Sequence, residues 1–230
     1  MYSARESLCA RACVPPPLAD SIVQQVLRIL LEYQADVNQV NKSNYTSLMS
    51  ACTEGRSQLV APLVEARADP NHVSEVYNET PLVCACACSG DSPECVQALL
   101  DAKALPDLPC TQAKQKTGLF MAASCGHLSQ VKTLLAAGAS PNHRTFAGSA
   151  PLHAAAKDKH LEVMRALLDA QADVEAVDGE SGSVSIPTAT PLILAAEAAH
   201  LDGIQLLLEY RANPNHFTKN GASLCLCLCL

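Results

Sequence analysis

The chain has 230 residues, a hydrophobic fraction of 49% and a net charge of -7. Aromatic residues make up only 3% and tryptophan is absent, so leucine, alanine and valine must fill the interior, which favours closely packed helices over an aromatic-rich β-sandwich. No basic cluster breaks the acidic balance and no apolar run approaches the ~20 residues of a membrane-spanning helix, so we expect neither a nucleic-acid partner nor a transmembrane segment.

The first 19 residues carry no recognisable secretion signal. They contain Arg5, Glu6 and Arg11 and lack the apolar core of roughly 7 to 15 residues that a signal peptide needs. The twelve cysteines are therefore interpreted as reduced thiols of an intracellular protein, cytoplasmic with the nucleus left open. A mitochondrial presequence is the alternative, against which Glu6 and the prolines at 15–17 argue.

The same segment contains a stretch similar to helices predicted further along the chain. The residues "ESLCARAC" at 6–13 are similar to "TSLMSAC" at 46–52, but the prolines at 15–17 separate them from the next predicted helix by more than the usual turn. Residues 1–19 are thus either a degenerate capping unit or a disordered segment.

A repeated unit extends from residue 20 onward. Four copies superimpose without a gap, a fifth at 79–107 needs a two-residue insertion, and 22–38 matches only the second half of the unit. The four ungapped copies are 45–71, 116–142, 149–175 and 189–215. We predict one array without a second domain. The expected units are about 20–38, 42–71, 76–107, 113–142, 146–175, 186–215 and a truncated 219–230.

Each unit carries the signals of two short helices. Threonine stands where an N-cap hydroxyl is wanted, and proline follows it at the first helical position in several units. The threonines are Thr46, Thr80, Thr117 and Thr190, and the prolines are Pro81, Pro151 and Pro191. In the second helix, Val131, Leu134 and Leu135 form one apolar stripe. Because one such helix pair buries little surface, we expect stability to come from the stacking of neighbouring units.

The unit resembles the ankyrin repeat, whose pattern T-P-L-H-x-A-A, then G-H, V-x-x-L-L and G-A-D-x-N is nearly intact in "SAPLHAAAKDKHLEVMRALLDAQADVE" at 149–175. The resemblance implies an all-α solenoid of stacked helix-turn-helix units with β-turn fingers between them. It also implies a scaffold for protein–protein interaction, without enzymatic activity or cofactor, that binds a partner protein through the finger loops and the concave face of the first helices.

Two features depart from the family pattern. Glycine closes the second helix only at Gly138, and a side chain at this position costs up to about 1 kcal/mol if φ is positive. The side chains that replace glycine are Gln34, Arg67, Lys103, Gln171 and Arg211. The connection at 176–189 is rich in glycine, serine and acid and is about twice the usual length, so we expect an enlarged, mobile finger.

Histidine and asparagine recur at fixed positions of the unit, which favours structural roles over catalysis or metal binding. The histidines are His72, His127, His143, His153, His160, His200 and His216, and the unit-ending asparagines are Asn38, Asn71, Asn142 and Asn215. An asparagine there can bond turn backbone. The resemblance offers hydroxylation by an oxygenase as the alternative. No phosphate loop, catalytic triad or carboxylate pair stands out, so we expect no enzyme and no metal site.

Two sets of residues are candidates for partner binding. Aromatic residues in the connections are either exposed interface anchors or pack against the neighbouring finger or helix start; they are Tyr45, Tyr77, Phe146 and Phe217. The resemblance adds variable positions of the first helices, namely Met49, Thr53, Glu54, Phe120, Cys125, His153, Lys157, Asp158, Ile193 and Glu197.

The run "ASLCLCLCL" at 222–230 aligns with the start of a seventh first helix. On a helix, cysteines two residues apart point in nearly opposite directions, so these thiols do not converge on one metal. The last four residues also match a prenylation motif at Cys227, which would make the protein a lipid-tethered adaptor with peripheral membrane attachment. A further alternative is that the chain is a fragment or accessory module of a larger enzyme or channel.

Overall fold

The computed structural model describes residues 20–74, 76–88, 90–109, 115–179 and 189–216. These residues form helices joined by turns, and they contain no β-strand. The chain divides into two compact units, Met1–Asp36 and Val37–Leu230. Residues 1–19, Phe217 and Cys227 lie outside the described part, so the predictions made for them stay predictions.

The first compact unit, Met1–Asp36, contributes helix α1, Asp20–Glu32. The second compact unit, Val37–Leu230, contains the alternating first and second helices of the successive repeats. These are α2 Ser47–Thr53, α3 Ser57–Glu65, α4 Pro81–Ala87, α5 Pro93–Asp101, α6 Gly118–Cys125, α7 Leu128–Ala136, α8 Pro151–Lys157, α9 Leu161–Asp169, α10 Pro191–Glu197 and α11 Leu201–Glu209.

The helices of the second unit pack in two layers. The first helices α2, α4, α6, α8 and α10 contact one another in chain order, and the second helices α3, α5, α7, α9 and α11 do the same. Each first helix also contacts the second helix that follows it. This arrangement confirms the stacked helical solenoid predicted from the repeat.

The predicted N-caps are confirmed at four of the first helices. The hydroxyl of Thr46 accepts a hydrogen bond from the N–H of Met49, three residues later. The hydroxyls of Thr80, Thr117 and Thr190 likewise each accept from the N–H of the residue three positions later. Ala150 has no side-chain oxygen, so α8 begins without a side-chain cap, and the His153 Nδ1 accepts the N–H of Ala150 itself at 3.1 Å. The threonine cap is therefore present in four of the five first helices described.

The position that closes each second helix adopts a left-handed conformation whether or not it is glycine. Gly138 has a φ of 85°. The five side-chain-bearing residues have φ values of 58° for Gln34, 67° for Arg67, 69° for Lys103, 64° for Gln171 and 66° for Arg211. Because φ is positive at all five side-chain-bearing residues, these helix ends carry backbone strain.

Leucine and alanine fill the interior. The first helices bury Leu48, Leu119, Leu152 and Leu192, and the second helices bury Leu63, Leu99, Leu134, Leu167 and Leu207. Pairs of small residues such as Ala122 and Ala123 are fully covered where first helices meet. The long connection closes at its base, where the N–H of Asp178 donates to the Ala189 carbonyl at 3.0 Å. Residues 180–188 of that connection lie outside the described part.

Candidate functional site

The fingers are short hairpin turns between consecutive units. Three of the fingers are closed by a backbone hydrogen bond. The N–H of Asn41 donates to the carbonyl of Tyr45 at 3.1 Å, that of Ser74 to the carbonyl of Glu79 at 2.9 Å, and that of Thr145 to the carbonyl of Ser149 at 2.9 Å. A left-handed residue before the closure reverses the chain, namely Asn44, Asn78 or Gly148. The chain consequently reverses its direction within each of these turns.

Neighbouring fingers are also bonded to one another. The hydroxyl of Ser74 donates to the Ser43 carbonyl at 3.1 Å, which links the first two fingers. Further along, the N–H of Gly179 donates to the Ala147 carbonyl at 2.7 Å, and the Arg144 guanidinium donates to the Val177 carbonyl at 2.9 Å. Two pairs of neighbouring fingers in this row therefore support each other.

A ladder of unit-ending side chains fixes the base of this row. In each case a side chain that ends one unit accepts the backbone N–H two residues after the left-handed helix end of the next unit. The acceptor and donor pairs are Asn38 with Asp69, Asn71 with Leu105, Asp107 with Ser140, Asn142 with Asp173, and Glu175 with Asn213. We call Asn38, Asn71, Asp107, Asn142 and Glu175 the terminal ladder.

The asparagines of the terminal ladder make a second bond, through the amide nitrogen. Asn38 donates to the Arg67 carbonyl at 3.1 Å, Asn71 to Lys103 at 3.1 Å, and Asn142 to Gln171 at 3.2 Å. The prediction that these asparagines bond turn backbone is confirmed for these three, although the turn belongs to the following unit. Sequence reasoning missed that Asp107 and Glu175 take the same place, because their side chains differ from the repeated asparagine.

The tips of two fingers expose apolar side chains. The exposed fraction is 56% for Val76, 41% for Tyr77 and 58% for Phe146. Of the aromatic residues in the connections, Tyr77 and Phe146 are exposed, and their role in partner binding stays a prediction. Val76 was missed, and its only signal was an aliphatic residue in an otherwise polar turn. Exposed aromatic side chains such as Tyr77 and Phe146 are enriched at protein interfaces.

Tyr45 lies in the interior, so its assignment as an exposed anchor is wrong. Only 8% of its surface is exposed, and its ring meets the edge of the Tyr77 ring with centroids 5.8 Å apart at 88°. The hydroxyl donates to Glu79 at 2.8 Å and lies 3.0 Å from the Cys84 sulfur. Burial raises the pKa of the Tyr45 phenol well above its ordinary value, and Cys84 adds to the shift. Tyr45 therefore links two units and stays protonated.

The first-helix candidates separate into buried and exposed residues. Four of them, Met49, Phe120, His153 and Ile193, are buried in the stacked helices, so their assignment to a contact surface is wrong. Thr53 is half-buried and its hydroxyl donates to the Met49 carbonyl at 2.9 Å. Glu54, Cys125, Lys157, Asp158 and Glu197 are exposed at the ends of their helices.

Exposed charges at these helix ends are partly organised by local bonds. Glu54 pairs with Arg56 at 2.8 Å, and Asp158 accepts the Ser124 hydroxyl of the preceding first helix at 2.9 Å. Both signs of charge are present, with Lys157 beside Asp158. The first helices thus carry exposed side chains of both charge signs at their C-terminal ends.

The buried histidines and cysteines serve packing. Burial lowers the pKa of the His153 imidazole, so the ring is neutral at physiological pH. Burial raises the pKa of the Cys52 and Cys86 thiols and brings that of Cys95 to about 11. Within the described ranges, no three histidine, cysteine or acidic side chains are placed to hold a metal ion. Among the helices that the structure describes, none has the length and apolarity to cross a membrane.

The family model "Ankyrin repeats (3 copies)" matches residues 58–145, 86–178 and 119–218. The chain is similar to three long proteins. It is 34% identical over 105 residues to the human transient receptor potential cation channel subfamily A member 1, covering 46% of this chain and 9% of that protein. It is 33% identical over 158 residues to the Drosophila melanogaster transient receptor potential channel pyrexia, covering 69% of this chain and 16% of that protein.

The third is the Caenorhabditis elegans ankyrin repeat and KH domain-containing protein mask-1, 30% identical over 181 residues, which are 79% of this chain and 6% of that protein. The chain thus spans less than a fifth of the length of these relatives. Among solved structures, the human ASB11 ankyrin repeat domain superimposes with a TM-score of 0.75 at 28% identity, covering 91% of this chain and 90% of that one.

Proposed function

This chain belongs to the ankyrin repeat family, and on that basis we propose that it is a non-catalytic scaffold that binds a partner protein through its finger tips and first-helix ends. Ankyrin repeats generally mediate protein–protein interaction. The observation that carries the proposal is the exposure of Val76, Tyr77 and Phe146 on fingers that are hydrogen-bonded at their base. Ankyrin repeat proteins are commonly intracellular, and we propose the same setting here.

The arrangement suits a partner with apolar groups flanked by polar ones. The fingers supply the apolar anchors, and the exposed first-helix ends supply polar groups of both charge signs at Glu54, Lys157, Asp158 and Glu197. Truncating an anchor at the centre of an interface typically costs about 2 kcal/mol or more, and each 1.4 kcal/mol corresponds to about a tenfold change in affinity. Charges at the edge of an interface mainly affect the association rate and the specificity. Because the turns are preformed, little conformational entropy is lost when a partner docks on them.

Proximity labelling with the chain as bait, followed by affinity measurement on the captured protein, tests the proposal. Replacing Tyr77 and Phe146 together with alanine is expected to weaken binding by more than tenfold, because both anchors are lost. Leu201→Ala is the matched control, since Leu201 is also apolar and exposed but lies at the start of second helix α11. Equal binding by the double variant and the wild type would sink the assignment to the fingers.

A second candidate is an accessory module of a larger channel. Two of the similar proteins are transient receptor potential channels, and the chain covers only 9% and 16% of them. Intact-mass measurement of the endogenous product checks this. A product of 24.3 kDa, the mass of this chain, would exclude the larger channel, and the same spectrum would show whether Cys227 carries a lipid.

A further inference from the structure

The finger that carries Phe146 also presents a cation. Arg144 precedes Phe146 by two residues, and both side chains are exposed, whereas Thr145 between them is buried. The exposed fraction is 48% for the Arg144 side chain and 58% for Phe146. Because side chains alternate between the two sides of an extended stretch, this order of burial puts the guanidinium and the phenyl ring on the same side of the finger.

The backbone of this finger is fixed from within and from the neighbouring finger. The N–H of Thr145 donates to the Ser149 carbonyl at 2.9 Å, and the N–H of Ser149 donates to the Thr145 hydroxyl at 3.1 Å. From the next finger, the N–H of Gly179 donates to the Ala147 carbonyl at 2.7 Å. A Cβ built on Gly148 would lie 2.7 Å from the Gly179 carbonyl oxygen, so the two backbones are in direct contact. A partner therefore meets a preformed turn.

The Arg144 guanidinium is oriented by one bond and keeps donors for another acceptor. Its Nη1 donates to the Val177 carbonyl at 2.9 Å. Its Nη2 lies 3.9 Å from Oδ2 of Asp173, which is beyond hydrogen-bonding distance. The other carboxylate oxygen of Asp173 accepts the N–H of Glu175 at 3.0 Å. Because a guanidinium has five N–H donors, Arg144 can bind a further acceptor without giving up its bond to Val177.

We propose that Arg144 sets the specificity of the finger tips by binding a carboxylate of the partner protein, beside an apolar side chain that covers Phe146. This proposal rests on the proposed function, because it assigns a chemistry to the partner that the fingers bind. A guanidinium matches a carboxylate in shape and charge, and the two form charge-assisted hydrogen bonds. The fitting partner is a peptide segment in which Asp or Glu stands within one or two residues of a large apolar residue.

A carboxylate fits this position better than a phosphate. A phosphate group on a peptide carries close to two negative charges and is normally bound by several arginines together. Arg144 is the only arginine in the finger sequence "RTFAGS" at 144–149, and the carboxylate of Asp173 lies beside it. A second negative charge on the ligand would be repelled by Asp173, whereas a carboxylate brings only the one charge that the guanidinium balances.

Selection of peptides from a random dodecapeptide phage library on the immobilised 230-residue chain tests the proposal. Acidic residues close to leucine, isoleucine or an aromatic residue are expected to be enriched on the wild type, and Arg144→Glu should abolish that enrichment. For a selected peptide, Arg144→Glu should weaken binding by about tenfold, because an attractive contact becomes a repulsive one. Binding to the wild type should also weaken as the salt concentration rises from about 0.05 to 0.5 M, since exposed charge pairs are screened.

Two further variants separate the charge of Arg144 from other effects of its replacement. Arg144→Lys keeps the positive charge and should bind a selected peptide more tightly than Arg144→Glu does. Arg165→Glu is the matched control, because it makes the same charge reversal at an exposed arginine of second helix α9 and should bind as the wild type does. Far-ultraviolet circular dichroism spectra equal to that of the wild type verify that the variants fold.

Absence of acidic residues among the peptides selected on the wild type would overturn the proposal, and so would equal affinity of the wild type and Arg144→Glu for a selected peptide. The double variant with Tyr77→Ala and Phe146→Ala separates this failure from that of the proposed function. Loss of peptide binding in the double variant but not in Arg144→Glu leaves the finger tips as the binding site and rejects the carboxylate contact. Binding that survives in both means that the fingers are not the site.

Discussion

Replacing Lys103 with glycine is expected to stabilise the protein, although the change deletes a side chain. Lys103 ends helix α5 with a φ of 69°, a conformation that costs a residue with a Cβ about 1–2 kcal/mol. Glycine avoids this strain but loses about 0.5–1 kcal/mol more backbone entropy on folding. The difference predicts a gain of about 0.5–1 kcal/mol in the free energy of unfolding.

The native bonds at this position survive the change. The N–H of Lys103 donates to the Leu100 carbonyl at 2.9 Å, and its carbonyl accepts from the Asn71 amide at 3.1 Å. Both bonds use the backbone, and the Lys103 side chain is exposed. The substitution therefore changes the conformational cost at this position and leaves side-chain packing and the hydrogen bonds of the terminal ladder as they are.

Gly138→Lys is the reciprocal control. Gly138 occupies the same position at the end of α7, with a φ of 85°, and a Cβ built there meets no heavy atom within 4 Å. The variant should lose about as much stability as Lys103→Gly gains, because only backbone strain is added. Urea unfolding followed by far-ultraviolet circular dichroism measures both. The reasoning fails if Lys103→Gly lowers the unfolding midpoint, or if both variants shift it in the same direction.

Three further outcomes are expected. Thr80→Ala removes the hydroxyl that accepts the N–H of Val83 and should lower the unfolding free energy by about 1 kcal/mol in the same urea assay, whereas an unchanged midpoint would argue against the cap. Iodoacetamide should label exposed Cys125 in the native protein and leave Cys95 unlabelled, because Cys95 is buried and burial raises the pKa of its thiol to about 11, so little of the reactive thiolate forms. Peptide mapping that shows equal labelling of the two would contradict this. The pKa of His153 is lowered in the folded state, so stability should be intact above the unfolded value of about 6.5 and fall as the pH drops below it; His153→Gln should flatten that slope, measured by urea unfolding at several pH values.

The helices and their ends were readable from the sequence because their signals are local. A hydroxyl at Thr46 or Thr80 caps the helix that starts one residue later, so the pattern and its consequence lie within four residues. The left-handed ends at Arg67 and Lys103 were likewise predictable, since the repeat marks the position and the chain must reverse there. The periodic spacing of apolar residues also predicted which stripe of each second helix is buried.

Exposure of the candidate binding residues was not readable in the same way. Tyr45 and Phe146 both stand in connections between units, yet Tyr45 is buried against Glu79 and Cys84 of the next unit, whereas Phe146 points into solvent. What covers a side chain in this fold is contributed by residues about one repeat away. A finger position therefore does not reveal whether its side chain binds a neighbour or a partner.

The sequence by itself determined the family, the helix starts and ends, and the left-handed residues, because each depends on the chemistry of a few adjacent residues repeated along the chain. Only the tertiary structure decided that Met49 and His153 are buried and that Asp107 and Glu175 replace asparagine in the terminal ladder. These facts depend on which surfaces meet when units stack, and stacking joins residues more than 30 positions apart.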